Sequence, residues 1–204
     1  MDNSYAIYQL QIQMWDLLLM DWKANLITTK YWGVMAFIIL YYAIWWKLTD
    51  KRRLSELLLV GSLFAVIGMI TDLAGVTAGL WLYKVRILPL PTSIFLYNLT
   101  IAPLTFMLAV QYSKNWRQFF LCAATASGLV HFILLPFFSK IGVFQIINWN
   151  LIYGFSLGFA AEVFARAAFH FIKQVQYKAV QGYDSPFQST LMHPAFKRFD
   201  DDKE

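Results

Sequence analysis

Five apolar blocks, each near twenty residues long, constrain this 204-residue chain more than any other feature. A helix needs about 20 apolar residues to cross roughly 30 Å of hydrocarbon. In lipid every backbone N–H and C=O must be paired, so only helices or closed barrels can span. A soluble domain would instead bury one face of each element and show polar residues at helical spacing. Composition agrees with a membrane chain: 59% of residues are apolar and only 14% charged, against about 25% charged in soluble domains. The expected fold class is all-α, a polytopic transmembrane helical bundle of about five spans with an N-terminal amphipathic helix.

Three regions follow. Residues 1–30 are expected to form an extracytoplasmic amphipathic segment, 31–172 the five-span transmembrane domain, and 173–204 a cytoplasmic polar tail, largely mobile beyond about residue 180. The spans are expected at Tyr31–Trp46, Leu57–Leu80, Pro91–Tyr112, Phe119–Phe138 and Ile146–Ala168. Tyr31, Trp32, Trp45 and Trp46 mark the ends of the first, as aromatic belts do. Pro103 lies inside the third, where its missing N–H frees the carbonyl of Leu99 and a kink is expected.

The N-terminus opens Met1-Asp2-Asn3 with no basic region, and Asp16 and Asp21 interrupt its apolar run, so no cleavable signal is expected. As a helix it would carry Ile7, Leu10, Met14 and Leu17 on one face and Gln9, Gln13, Asp16 and Lys23 on the other. That pattern suits a helix lying in the membrane interface, with Trp15 and Trp22 as anchors. Packing of this helix on its own bundle is the alternative.

Basic residues set the orientation. Eight (Lys47, Lys51, Arg52, Arg53, Lys114, Arg117, Lys173 and Lys178) fall on the side of the turns after spans one and three, and five (Lys23, Lys30, Lys84, Arg86 and Lys140) on the opposite side. The excess places the first group in the cytoplasm and the N-terminus outside. The net charge of +5 is thus distributed between apolar blocks; no basic stripe with stacking aromatics is present, and nucleic acid is not an expected partner.

Small residues recur on single helix faces. Gly61, Ala65, Gly68, Asp72, Gly75 and Gly79 follow one another at steps of four and three, and Gly154, Gly158, Ala161 and Ala165 repeat the theme in span five. Stripes of this kind let membrane helices approach closely, so close backbone contact is expected there, within the bundle or between two copies. Asp72 lies on its stripe and should face the bundle, where Asn98 of span three can meet it, with Thr71 and Tyr97 nearby.

Ionisable groups inside a membrane are costly and mark function by default. Asp72, Asn98, His131, Glu162 and Arg166 are therefore the candidate buried polar residues. Each has a structural alternative: an interhelical hydrogen bond for Asp72, a packed hydrogen-bonding ring for His131, and an ion pair four residues apart for Glu162 and Arg166. Cys122 is the chain's single cysteine and is expected to be a small buried hydrophobe. No catalytic residue is assigned. No HExxH motif, no Gly-rich phosphate loop and no Gly-x-Ser-x-Gly motif is expected. Scattered histidines lack metal-ligand spacing, so neither metal nor cofactor is expected.

Asp72, then Leu80-Trp81-Leu82-Tyr83, Leu88-Pro89-Leu90-Pro91 and the run Pro103-Leu104-Thr105-Phe106-Met107-Leu108-Ala109-Val110-Gln111-Tyr112 resemble a family of small multi-span membrane proteins of Bacillus, Clostridium and their relatives. The similarity covers spans two to five. It implies a bacterial plasma membrane and carries no assigned activity. The expected function is a binding or assembly component of the bacterial envelope, whose partners are membrane lipids and another membrane protein or a second copy. A small membrane enzyme acting on a lipid or isoprenoid, and a transporter or channel subunit, are the alternatives.

Overall fold

The computed structural model describes residues 3–183. The chain divides into two units, Met1–Arg166 and Ala167–Glu204. The first unit contains α1 (Asn3–Asn25), α2 (Thr29–Leu48), α3 (Leu54–Thr77), β1 (Trp81–Tyr83), a π-helical turn (Ile94–Ile101) continuing into α4 (Ala102–Tyr112), α5 (Trp116–Gly128), a second π-helical turn (Leu129–Leu134) leading to α6 (Leu135–Lys140), and β2 (Phe144–Ile146). Helix α7 (Leu151–Tyr183) starts in the first unit and runs on into the second. Five helical stretches among the described residues are long and apolar enough to cross a membrane, at 29–48, 51–77, 94–112, 116–140 and 151–179. The expected all-α bundle is the observed one.

Local chemistry sets the helix ends. Thr28 caps α2 by accepting from the Tyr31 N–H at 3.3 Å. Asn115 caps α5 by accepting from the Gln118 N–H, and the Gln118 side chain reaches back to the Lys114 N–H, each at 2.9 Å. Helix α3 closes on Gly79, whose φ of +69° only glycine adopts without strain. There the Leu80 N–H reaches the Gly75 carbonyl and the Gly79 N–H the Val76 carbonyl, the paired bonds of a Schellman ending. Span two therefore stops before Leu80.

Pro103 acts as its missing N–H requires, with a partner the sequence did not reveal. The freed Leu99 carbonyl accepts the Tyr42 hydroxyl at 2.8 Å. The backbone before Pro103 is π-helical, and the same change precedes Pro136 in the next span. Proline thus ends a π turn in both helices.

Three expected boundaries need correction. A short two-stranded antiparallel sheet, its strands distant in sequence, caps the bundle between the helices, with Trp81 opposite Ile146, Leu82 opposite Gln145 and Tyr83 opposite Phe144. Ile146 is therefore in a strand, and span five begins at Leu151. Residues 173–183, assigned to the polar tail, continue α7, so Glu162 and Arg166 stand near its middle and not near its end. The expected mobile tail past residue 183 lies outside the described residues.

Helix α1 buries no residue. Both its faces are exposed, and it meets the rest of the first unit near its C-terminal end. There the Trp22 indole donates to the Ile87 carbonyl at 2.9 Å, the Asn25 amide to the Lys84 carbonyl at 3.2 Å, and Asp21 pairs with Arg86 at 2.7 Å. The core beneath the strand pair joins Tyr31, Tyr83, Leu96, Val130, Phe138 and Phe144. Deeper in the bundle α4 packs on α3 and α5, and the rings of Phe106 and Phe119 are fully buried.

Candidate intramembrane site

Asp72 is 3% exposed and stands about 8 Å before the end of α3 at the helical rise. Its carboxylate accepts three hydrogen bonds. Oδ1 takes the Trp81 indole N–H at 2.9 Å and the Tyr83 hydroxyl at 2.8 Å, and Oδ2 takes the Asn98 amide at 2.7 Å. A carboxylate has about four acceptor positions, so most of its capacity is used. Two donors come from β1, where residues two apart share a face, and one from the π turn. Burial, reinforced by the neighbouring Asp72 carboxylate, pushes the Tyr83 phenol well above its usual range and keeps it a donor.

Asp72 and Asn98 meet, on the face where the sequence placed them. Trp81 and Tyr83 are the members that sequence reasoning missed. The available signal was the alternation of Trp81 and Tyr83 immediately after a glycine-closed helix.

His131 is also buried. Its Nδ1 lies 2.9 Å from the Ser127 carbonyl, one turn back, and its Nε2 lies 3.3 Å from the Tyr97 hydroxyl. A carbonyl can only accept, so Nδ1 carries the proton and Nε2 accepts from Tyr97. The oxygen of Tyr97 is left with lone pairs to offer. Between these groups is a cavity of about 80 Å³. Thr71, Asp72, Tyr97 and His131 line it, and Trp81 and Trp149 stack edge-on along it with centroids 5.4 Å apart.

The glycine stripes require a correction. Close approach of backbones is not what they provide; they leave room for side chains. A Cβ on Gly75 would lie 2.0 Å from the Trp81 ring, one on Gly61 1.9 Å from the Met107 methyl, and one on Gly68 3.2 Å from Asn98 Oδ1. On α7, Gly154 and Gly158 both face the His131 ring, at 2.8 Å from the would-be Cβ. Gly79 belongs to no stripe, since it is exposed and terminates α3.

Glu162 and Arg166 are both buried, and the expected ion pair between them is absent among the described residues. Arg166 turns to other partners: its Nη1 donates to the Ser113 hydroxyl, and its guanidinium lies over the Phe119 ring at 4.2 Å. Ser113 follows the end of α4 and its hydroxyl donates back to the Val110 carbonyl at 2.9 Å while accepting from Arg166, a partnership the helical spacing of four could not foresee. Glu162 Oε2 has no hydrogen-bond partner among the described residues. Cys122 is half-buried rather than buried.

Gly154-Phe155-Ser156-Leu157-Gly158 does match the Gly-x-Ser-x-Gly spacing, which corrects the expectation that the chain has no such motif. Ser156 nevertheless sits within continuous α7, is exposed, and donates to the Ile152 carbonyl at 2.9 Å. A nucleophile elbow needs a strained strand-to-helix turn, so the match is a spacing alone. Among the described residues, no group of three or more His, Cys, Asp or Glu could hold a metal ion.

The chain matches no protein-family model, no curated protein and no solved structure. Its five long apolar helices make it a multi-pass integral membrane protein.

Proposed function

We propose that this protein is a binding component of a bacterial plasma membrane, and that it holds a lipid-soluble molecule by one hydroxyl-type polar group in the cavity beside Asp72. The observation that carries this reading is the cavity itself. It is apolar and aromatic over most of its wall, with acceptors gathered at one place: the Tyr97 oxygen and the remaining acceptor position of Asp72. Small-molecule sites have this character, apolar with few convergent polar groups. Acceptors gathered at one place suit a ligand that donates, such as an alcohol.

A volume near 80 Å³ is about half that of the engineered lysozyme cavity that binds benzene. It accommodates a polar head or a chain end, the rest lying among the helices. Asp72 held by three donors is suited to fixing a ligand, which supports binding over proton transfer. The resemblance to small membrane proteins of Bacillus and Clostridium relatives supports the bacterial membrane. The excess of basic residues beside the turns after spans one and three supports an external N-terminus.

Purification in mild detergent and mass spectrometry of the co-purified small molecules test the site. Wild type is expected to retain a largely hydrocarbon molecule bearing a hydroxyl. Thr71→Leu should lose it, because Thr71 lines the cavity and bonds only to carbonyls of its own helix. Equal retention by both proteins, or an empty wild type, would exclude the reading. Orientation is checked in a Cys122→Ala background. Cysteine at Lys140 should react with an impermeant thiol reagent in intact cells, and cysteine at Lys51 should resist.

A further inference from the structure

On the side of the strand pair, a second hollow lies between α1 and the chain around β1. It encloses about 690 Å³, within the roughly 300–1,000 Å³ typical of ligand clefts. One wall is apolar, from Met14, Leu17 and Leu18 of α1, and the other is basic, from Lys30, Lys84 and Arg86.

These cations are poorly neutralised. Asp21 is the acidic residue lining the hollow, and it is engaged by Arg86 at 2.7 Å. Lys30 and Lys84 are exposed and form no ion pair among the described residues. Arg86 keeps a buried Nε without an acceptor. Gly142, with φ of +77°, keeps the space beside the Lys30 ammonium open, since a Cβ there would lie 3.0 Å from Nζ.

The charges also stand out in the sequence. Three of the five basic residues on the less basic side of the bundle converge here. Lys30 is in the first turn of the span that begins at Thr29, so the hollow lies at the level of the membrane interface. Trp22 and Trp32 are at the same end of the bundle, as interfacial aromatics are.

We propose that this hollow is a binding site for an anionic phospholipid, its phosphate held by Lys30, Lys84 and Arg86 and its acyl chains lying along Met14, Leu17 and Leu18. A basic pocket with an apolar flank at the membrane interface matches the two halves of such a lipid. The site is separate from the Asp72 cavity, and Tyr83, which lines both, stands between them.

Native mass spectrometry of the full chain, released from vesicles of equal phosphatidylglycerol and phosphatidylcholine with matched acyl chains, tests this. Wild type should retain phosphatidylglycerol in preference by on the order of tenfold. The pair Lys30→Gln/Lys84→Gln should reduce that to near equality. The pair Lys23→Gln/Lys140→Gln removes the same charge from exposed positions on the same side, outside the hollow, and should leave the preference intact. Equal retention of the two lipids by wild type would overturn the proposal, as would equal losses in the two paired variants. Displacement of phosphatidylglycerol by millimolar inorganic phosphate would also overturn it, identifying a site for a free anion.

Discussion

Asp72 and Glu162 are both carboxylates in the bundle, 3% and 4% exposed, and the structure treats them oppositely. Asp72 is held by three donors from two other elements. Glu162 Oε2 has none among the described residues, and the arginine one turn along its own helix has turned to Ser113. Equal burial does not mean equal commitment. The difference lies in what the neighbouring chain delivers: beside Asp72 strand β1 and a π turn converge, whereas Glu162 sits where the pairing suggested by local spacing was not made.

The same substitution at the two places should have opposite signs. Asp72→Leu strands three buried donors and should lower stability by about 2–4 kcal/mol, read as unfolding free energy in detergent or bicelles. Glu162→Leu strands no donor among the described residues and should be neutral or stabilising. Destabilisation at Glu162 as large as at Asp72 would erase the comparison. Asp72→Asn should cost less, about 1 kcal/mol, because the Asn98 amide can rotate its unpaired Oδ1 toward the new N–H₂.

A smaller effect tests the glycine faces. Gly154→Ala should cost about 1–3 kcal/mol through overpacking against His131. In a His131→Ala background most of that cost should go, leaving the smaller part due to the Trp149 indole nitrogen, 3.2 Å from the would-be Cβ. Gly33, with nothing within 4 Å of its would-be Cβ, is the reference, and alanine there should gain up to about 1 kcal/mol from helix propensity. A cost at Gly154 that is undiminished without His131 would show that the ring is not what the glycine accommodates.

The smallest expected value is a null. A double-mutant cycle of Glu162→Gln and Arg166→Gln should give a coupling energy below about 0.5 kcal/mol, the scatter expected of independent sites. A coupling above about 1 kcal/mol would mean that the two side chains do pair in the membrane.

The spans, and the placing of Asp72 opposite Asn98, were legible because both depend on periodicity. Apolar length decides whether a helix can cross, and steps of three and four decide which residues share its face. The strand pair was not legible: strands of three residues leave almost no pattern, and Leu80 and Ile146 merged into the apolar blocks beside them. Nor was the reason for the glycines, because a stripe of small residues reads alike whether a backbone or an indole ring fills the space.

By itself the sequence determined that the chain crosses a membrane several times as helices, because hydrocarbon thickness and unpaired backbone groups allow little else. It also determined that Pro103 would leave the Leu99 carbonyl without its helical donor. Tertiary structure alone decided which groups answer those demands: Tyr42 for that carbonyl, Trp81 and Tyr83 for Asp72, and Ser113 for Arg166. Those partners are 57, 9, 11 and 53 residues away along the chain. Helical periodicity relates neighbours three and four apart, and only packing in three dimensions brings the others within hydrogen-bonding reach.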